Sequence, residues 1–385
     1  MKNLIAYLIS FLLALGTPLA EAAQRAPSSQ KSAAAKVTKQ AQASKKKVKA
    51  KASKKKAKAS AKKQIKAAKK KSGIKARRIV SEYQEAPRPH SLAAAPLQVS
   101  YGLANSDDLE LRSAAVMVLD QRTGHALYAK NPDVATPIAS ITKLMTAIVV
   151  LDAGLAMSED ITIGMEDVDR LKYTGSRLAL GTTLSREELL NLALIASENR
   201  AAAALSRAYP GGREAFIQAM NRKAVALGMS NTWFVDGTGL DSNNRSTAAD
   251  LAKLVDAAYD YPEIRRISST GQFGISVPGR QTVKVKEHGR VRKVSREVTR
   301  HVAFNNTNAL TRNPDWDIGV SKTGYINEAG HCLVMQARIA NRPVIVVLLD
   351  SWGKLSRIGD ASRVRKWLET LNPEQIAQLS ARAQG

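Results

Sequence analysis

The 385-residue chain contains one cysteine, Cys332, so that no intrachain disulfide can form. Its stability therefore depends on a hydrophobic core, and the length suffices for one large domain or two ordinary ones. The cysteine lies in the apolar run His331–Met335, which predicts a buried strand. We expect Cys332 to have a structural role and not to act as a nucleophile.

Histidines are few and scattered, and their spacing does not fit a metal site. The five are His90, His125, His288, His301 and His331. Zinc sites place their ligands at short, regular intervals along the chain, which these positions do not. We therefore expect no metal and no organic cofactor.

Acidic residues are missing between Arg25 and Arg78, where the chain has 22 Lys and Arg. The net charge of +26 mainly describes this segment, because the rest of the chain is nearly neutral. Large apolar side chains are almost absent from residues 23–95 before Ile74, which predicts a disordered basic tail. Two interpretations stay open. The tail either holds an anionic cell-wall or outer-membrane surface, a contact that salt weakens, or serves as a solvated spacer.

Apolar runs long enough to cross a bilayer are also missing. The run Leu4–Leu15 is shorter than the ~20 residues that a spanning helix needs. Lys2 precedes it, and Ala20-Glu21-Ala22 follows it with small residues where a signal peptidase cleaves. We predict that residues 1–22 are a signal peptide, cleaved after Ala22, and that the protein is periplasmic. Export argues against a nucleic-acid partner.

The remaining chain predicts one folded domain at residues 96–372, followed by a C-terminal tail at 373–385. Strands are expected near both ends and helices between them, with a helical subdomain at about 155–265, so one sheet is built from distant segments. The individual predictions are a hairpin from 114–120 and 125–130, a helix from Ser140 to about Ala153, capping boxes at Ser185 and Thr247, two strands at 331–340 and 343–350 with a turn at 341–342, and a helix at 356–371.

Three short motifs carry the chemistry, and each is weak by itself. They are Ser140-Ile141-Thr142-Lys143, Ser197-Glu198-Asn199 and Lys322-Thr323-Gly324. Ser351 and Lys354, for example, form another Ser-x-x-Lys, and Ser242-Asn243-Asn244 is another Ser-x-Asn. Order and context select the first set, because Ser140 alone begins an apolar-periodic helix and Lys322 follows a predicted strand.

The residue types fit nucleophilic catalysis by serine. A serine hydroxyl needs a base, and Lys143 shares a helix face with Ser140 at a spacing of three. Burial and a second cation, for which Lys322 is the candidate, lower the pKa of a lysine. The start of the helix also places positive backbone dipole near a developing oxyanion.

The other two motifs suit proton transfer and substrate binding. Ser197 can relay a proton between the lysines and a leaving amine. Asn199 can bind a substrate amide and fix the basic amine, while Lys322 and Thr323 can hold a substrate carboxylate. Gly324 leaves space for a substrate backbone along the strand edge.

Together the motifs resemble those of the penicillin-recognising serine D-alanyl-D-alanine peptidases. The resemblance covers about residues 97–370, and further stretches are similar to the low-molecular-mass carboxypeptidase/endopeptidase branch: residues 139–146, 175–177, 239–241, 246–250, 306–308 and 321–324. It implies that residues 96–372 are a catalytic domain with a mixed α/β (α+β) fold similar to the serine β-lactamases. That fold has a five-stranded antiparallel sheet flanked by helices, plus a helical subdomain.

The resemblance also implies the reaction. Ser140 would attack the carbonyl of a D-Ala residue in a peptidoglycan peptide and form an acyl-enzyme, with the backbone N–H groups of Ser140 and Tyr325 as oxyanion hole. Tyr325 departs from the histidine that the best-known carboxypeptidases have at this position, so side-chain contacts to substrate are expected to differ. Penicillin mimics D-Ala-D-Ala, so β-lactams are expected to acylate the same serine.

Within the family, carboxypeptidases usually carry a β-rich C-terminal domain and a final amphipathic anchor helix. Only 61 residues follow Gly324, enough for the rest of the sheet and the last helix. The chain is therefore similar to the endopeptidase of the penicillin-binding-protein 7/8 type, which cuts D-Ala–diaminopimelate cross-links. The alternatives are a carboxypeptidase that trims pentapeptides, a β-lactamase and a non-catalytic peptidoglycan-binding protein. A β-lactamase often has an extra glutamate. Glu214 and Glu263 lie in the right region but in no known motif, and Ser197-Glu198-Asn199 is not Ser-Asp-Asn.

Overall fold

The computed structural model describes residues 97, 99, 109–287, 290–372, 374, 375, 378 and 379. All of these belong to one unit, residues 86–385. The predicted signal peptide at 1–22, the basic tail at 23–95 and most of the C-terminal tail at 373–385 lie outside the described residues.

Strands and helices within the described ranges are numbered in chain order. The strands are β1 (Ser113–Asp120), β2 (Ala126–Lys130), β3 (Thr136–Pro137), β4 (Asp160–Thr162), β5 (Thr183–Ser185), β6 (Arg245–Ser246), β7 (Gln272–Glu287), β8 (Arg290–Asn305), β9 (Asp317–Ile326), β10 (Gly330–Ile339) and β11 (Arg342–Ser351). The helices are α1 (Thr142–Asp152), α2 (Arg186–Ile195), α3 (Asn199–Arg207), α4 (Gly212–Ala226), α5 (Ala248–Tyr259), α6 (Pro262–Ser269) and α7 (Ser356–Thr370), with 3₁₀ turns at Ala139–Ile141, Met165–Asp167 and Ala309–Arg312.

The expected five-stranded antiparallel sheet is confirmed, with the order β2-β1-β11-β10-β9. Its strands read as continuous apolar runs because both faces are covered. Along β1, Met117 packs into the core shared with helices α1 to α6, whereas Val118 packs into the core under α7. Smaller two-stranded sheets pair β3 with β6, β4 with β5, and β7 with β8.

The terminal hairpins agree with the sequence prediction to within about a residue. The first pairs β1 with β2, and Cys332 is buried in β10 as expected. The turn between β10 and β11 lies at Ala340 and Asn341, one residue before the predicted position. Both residues have positive φ, and such two-residue turns match the twist of the flanking strands, so Arg342 already pairs in β11.

Helix starts were predicted with mixed success. Ser185 forms the expected capping box with Glu188 at the start of α2. Thr247 caps α5 by accepting from the Asp250 amide, but the box is incomplete. The Asp250 carboxylate instead accepts hydrogen bonds from the Asn231 amide and from the Thr232 hydroxyl. These bonds tie α5 to the preceding loop.

The hairpin of β7 and β8 is the longest two-stranded element, with sixteen cross-strand pairs from Gln272–Asn305 to Glu287–Arg290. Its base packs on the core through residues such as Phe304 and Ile275. The sequence predicted strands in this region but not their length. No helix within the described ranges is long and apolar enough to cross a membrane.

Candidate active site

Ser140 lies in the 3₁₀ turn directly before α1, so the helix predicted from Ser140 begins two residues later, at Thr142. One helical turn later, the Lys143 amine lies 2.8 Å from Ser140 Oγ. The same amine donates to Asn199 Oδ1 at 2.8 Å and to the Thr238 carbonyl oxygen at 2.6 Å. The structure therefore brings Ser140, Lys143 and Asn199 together.

The three neighbours of the Lys143 amine suit its neutral form. The amide oxygen of Asn199 and the carbonyl oxygen of Thr238 only accept hydrogen bonds. A neutral amine has two N–H groups and one lone pair. It satisfies both acceptors with its N–H groups and directs its lone pair at the Ser140 hydroxyl, which is the arrangement that removes a proton from a nucleophile.

Burial lowers the pKa of Lys143 to about 7, against the opposing charges of Asp236 and Glu198, which raise it. Burial is one of the two causes expected from the sequence, whereas the expected repulsion between the two cations lowers the pKa of Lys322 and not that of Lys143. Lys143 is fully buried, and the free-energy cost of removing its ammonium from water exceeds the stabilisation that the nearby carboxylates provide. The neutral form of Lys143 is thus accessible near neutral pH.

Lys322 approaches from β9 and is also buried. Its amine donates to Ser197 Oγ at 2.9 Å and to the Thr323 carbonyl oxygen at 2.7 Å. Burial, followed by the charges of Lys143 and Arg357, lowers the pKa of Lys322 well below its ordinary value. The Ser-x-Asn motif therefore contacts both lysines: Ser197 contacts Lys322, and Asn199 contacts Lys143.

Two residues of the site have a positive φ, a backbone conformation that is unfavourable for residues other than glycine. Ala139 has φ +48° and Ser197 has φ +57°. Each such residue costs about 1–3 kcal/mol and persists only where its surroundings impose it. The strain is located directly before the nucleophile and at the start of the Ser-x-Asn motif.

Glycines allow β9 and the loop at Gly239 to approach the nucleophile segment closely. A Cβ on Gly324 would lie 2.9 Å from the Ile138 carbonyl oxygen and 3.1 Å from the Ser140 nitrogen. The sequence-based explanation for Gly324, space for substrate, is therefore incomplete, because β9 packs directly on the nucleophile segment. A Cβ on Gly239, where φ is +80°, would lie 2.0 Å from the Ala139 carbonyl oxygen.

The remaining predicted residues follow along β9. Thr323 Oγ1 donates to Thr307 Oγ1 at 2.7 Å, next to the base of β8. Tyr325 is half exposed, and its ring stacks on that of His331, with 4.3 Å between centroids. The tyrosine at this position is thus held by its cross-strand neighbour on β10.

Several residues that shape the site were not singled out from the sequence. The Asp236 carboxylate accepts hydrogen bonds from the amides of Thr238, Gly239 and Asp241, which places the Thr238 carbonyl on Lys143. Thr174 Oγ1 accepts from Asn199 Nδ2 at 2.9 Å and orients its amide. Parts of these loops resemble the family in sequence, at residues 175–177 and 239–241, but their contacts with the motifs are long-range.

A cavity of about 680 Å³ is lined by Asn199 and Thr238, two hydrogen-bond partners of the Lys143 amine, and by Leu171, Ala203 and Ile217. Asn199 is the one residue of the three motifs that lines it. Among the described residues, no group of three or more His, Cys, Asp or Glu side chains is placed to hold a metal ion.

Residues 103–353 match the family described as D-alanyl-D-alanine carboxypeptidase, peptidase family S11. The chain belongs to this family. It is 45% identical over 261 residues to the D-alanyl-D-alanine endopeptidase of Pseudomonas aeruginosa, a match that covers 68% of this chain and 78% of that protein.

Solved structures confirm the fold class of this S11 peptidase. The crystal structure of the Streptomyces K15 DD-transpeptidase has a TM-score of 0.58 at 27% identity and covers 68% of this chain and 98% of that one. Penicillin-binding protein D2 of Listeria monocytogenes, in an ampicillin-bound form, has a TM-score of 0.53 at 28% identity and covers 68% and 98%. The predicted serine D-alanyl peptidase fold is therefore correct.

Proposed function

We propose that this S11 peptidase is an endopeptidase that hydrolyses D-alanyl cross-links of peptidoglycan through an acyl-enzyme on Ser140. The observation that carries the proposal is the buried Lys143 amine, 2.8 Å from Ser140 Oγ, with a pKa of about 7. The similarity to the P. aeruginosa endopeptidase supports the choice of cross-links over pentapeptides as the main substrate.

In the acylation step, Ser140 Oγ forms a bond to the carbonyl carbon of D-Ala, and its proton passes to the neutral Lys143. The carbonyl oxygen becomes an oxyanion that accepts from the N–H groups of Ser140 and Tyr325. The close packing of Gly324 on the Ser140 nitrogen supports this pairing, because the Ser140 N–H then lies near the peptide unit that joins Gly324 to Tyr325.

Next the C–N bond breaks, and the leaving amine takes a proton from the Ser197 hydroxyl, which is hydrogen-bonded to Lys322 at 2.9 Å. We assign to Ser197 a relay between the lysines and the amine, so that the proton taken up by Lys143 replaces the one delivered and Lys143 returns to its neutral form. The carboxylate of the leaving group binds Lys322 and Thr323. A nearby carboxylate raises the pKa of a lysine, so substrate binding counteracts the lowering of the Lys322 pKa by burial.

Water completes the cycle. Its oxygen attacks the acyl carbon while one of its protons passes to the neutral Lys143 amine. The ester bond to Ser140 then breaks, Ser140 Oγ takes that proton back from Lys143, and the product acid leaves as the D-Ala carboxylate after losing its remaining proton to solvent. β-Lactams acylate the same oxygen by opening their ring, in which case the leaving nitrogen stays attached to the acyl group. The ampicillin-bound relative supports this reaction.

Fluorescent penicillin tests the nucleophile. The wild type is expected to take up one label, and Ser140→Ala none, as read from intact mass. Ser351→Ala is the matched control, because Ser351 belongs to another Ser-x-x-Lys but lies in β11, bonded to Ser113 Oγ. Labelling of Ser140→Ala at the wild-type rate would contradict the proposal.

Defined muropeptides test the substrate. Cross-linked dimers with a D-Ala–diaminopimelate bond are expected to become monomers faster than pentapeptide monomers become tetrapeptides. The reverse order would indicate a carboxypeptidase instead. Chromatography of the two digestions at equal enzyme concentration separates these outcomes.

We also propose that residues 1–22 direct export to the periplasm and that the basic segment 23–95 holds the enzyme on an anionic wall or outer-membrane surface. The 22 Lys and Arg without any Asp or Glu between Arg25 and Arg78 support an electrostatic contact. A chain that lacks residues 23–95 is expected to bind sacculi more weakly at low salt. Equal binding would favour the spacer interpretation.

A further inference from the structure

The hairpin of β7 and β8 carries an excess of positive charge that the rest of the folded part lacks. Residues 272–305 contain 8 Lys and Arg and 2 Glu. The other residues from 97 to 385 contain 27 Lys and Arg and 28 Asp and Glu. The charge of the described body is therefore concentrated in this single element.

The outer part of the hairpin stands apart from the core. At about 3.3 Å per residue, strands of 16 residues reach about 50 Å. Val277 and Val302 are the outermost of its hydrophobic residues that pack against the core among those described. Beyond them, valines such as Val285 and Val294 are half-buried between exposed cationic side chains.

We define the tip cluster as the exposed cations Lys284, Lys286, Arg290, Lys293 and Arg296. Lys284 lies directly opposite Lys293 across the ladder, so two like charges face each other. Such pairs destabilise a sheet. Charged residues also keep exposed strand edges from pairing with other chains, but that purpose does not require two lysines in register. An anion between them would remove the repulsion.

The base of the hairpin adjoins the active site. Two residues after β8 ends, Thr307 accepts from Thr323, to which we assign the substrate carboxylate. The Arg177 guanidinium donates to the Ala303 carbonyl oxygen at 2.7 Å and lies 3.7 Å from the centre of the Phe304 ring. The base of the hairpin is thus fixed close to Thr323.

We propose that the tip cluster binds carboxylates of stem peptides that surround the cleaved cross-link in polymeric peptidoglycan. This inference rests on the proposed function, and it adds a second contact outside the cleavage site. Stem peptides bear free carboxylates throughout the wall, which complement the charge of the tip. Register places Lys284, Lys286 and Lys293 on one face of the ribbon and Arg290 and Arg296 on the other. A peptidoglycan mesh that surrounds the hairpin contacts both faces of the ribbon, whereas a flat lipid surface contacts only one face.

The test uses the full chain and two substrates, intact sacculi and a soluble muropeptide dimer. The triple variant Lys284→Gln, Lys293→Gln, Arg296→Gln removes three charges of the tip cluster. The control variant Arg280→Gln, Glu297→Gln removes a pair that faces across the same ladder, so the net charge of the hairpin is unchanged. Penicillin acylation at the wild-type rate verifies that each variant has an intact active site.

At low salt, the triple variant is expected to digest sacculi about tenfold more slowly than the wild type, while both digest the dimer equally. The control variant is expected to digest both substrates like the wild type. The deficit should vanish at 0.5 M salt, and it should vanish on sacculi whose carboxylates have been amidated. Unchanged digestion of sacculi, or an equal deficit on both substrates, would overturn the inference.

Binding separates this inference from the proposed function. In the Ser140→Ala background, sedimentation with sacculi measures the tip contact without turnover, and the three hairpin substitutions are expected to lower the bound fraction. If the wild type cleaves neither substrate, the proposed function fails while this measurement still decides the tip contact. Stronger hairpin-dependent binding to phosphatidylglycerol vesicles than to sacculi would assign the tip to a lipid surface and overturn the inference.

Discussion

The Arg357 guanidinium donates to the Gly324 carbonyl oxygen at 2.9 Å and to the Cys332 carbonyl oxygen at 3.1 Å. Gly324 and Cys332 are paired residues of β9 and β10, and Arg357 reaches them from α7. The Gly324 carbonyl and the Tyr325 N–H belong to one planar peptide unit. The buried arginine therefore orients the N–H group to which we assign the oxyanion.

Arg357→Met is expected to lower the rate of penicillin acylation about tenfold, because the Tyr325 N–H loses its fixed direction. It should also lower the free energy of unfolding by about 3 kcal/mol, since two buried carbonyl oxygens lose a charged donor. Urea unfolding and stopped-flow acylation measure the two effects. Arg338→Met is the control, because its ion pair with Asp317 on the same sheet is exposed and such pairs contribute about 0–1 kcal/mol. Acylation by Arg357→Met at the wild-type rate would show that the peptide unit needs no such support.

The rate of acylation is expected to rise with pH and to be half-maximal near pH 7, because the neutral form of Lys143 removes the proton and its pKa is about 7. Glu198 raises this pKa, so Glu198→Gln should shift the rising limb to lower pH. Relative to its own plateau, the variant should therefore be faster at pH 6 than the wild type. Glu214→Gln, the same loss of charge at the exposed start of α4, should leave the profile unchanged. A shift to higher pH in Glu198→Gln would contradict the electrostatic assignment.

Stability should also depend on pH through Lys143. Its pKa is about 7 when folded and about 10.5 when unfolded, so the unfolded chain binds more protons between these values. Stability therefore rises with pH across this window, and below pH 7 the penalty for the buried amine is complete. Between pH 7 and pH 9, the wild type is expected to gain about 2 kcal/mol more than Lys143→Met in urea unfolding. Equal gains would mean that the lysine is not buried in its neutral form.

Gly239→Ala is expected to reduce penicillin acylation at least a hundredfold, because its Cβ would displace the Ala139 carbonyl and with it the nucleophile. Gly154→Ala is a matched control, since Gly154 also has positive φ, at +61°, but has no atom within 4 Å of the added Cβ. The control should cost about 1 kcal/mol of stability and leave acylation unchanged. Similar effects of the two substitutions would indicate that backbone strain, and not the contact with Ala139, controls the site.

Local signals accounted for much of the fold. The β1–β2 hairpin, the β10–β11 pair and the capping box of Ser185 were predictable, because alternation, turn residues and cap residues act within a few positions. The box at Thr247 was only half correct. The partner of Asp250 is a loop 19 residues away, which no local pattern identifies.

In the active site, too, local sequence patterns were predictable and long-range contacts were not. The order of the three motifs allowed Ser140, Lys143, Ser197, Asn199 and Lys322 to be named as one group. The contacts of Thr238 and Thr174 with that group, and the effect of Arg357 on Lys322, escaped prediction. These residues lie in loops or on a distant helix, and they are recognised only by the atoms they contact.

Sequence alone determined which side chains this enzyme has for nucleophilic attack, and it determined the strands and helices that carry them, since hydrophobic periodicity and residue type are written in the order of the residues. Tertiary structure decided that the amines of Lys143 and Lys322 are both buried, how Gly239 and Gly324 pack on the nucleophile segment, and where the cationic hairpin projects. Desolvation and close contact depend on what surrounds a group in three dimensions, and those neighbours come from parts of the chain that are far apart.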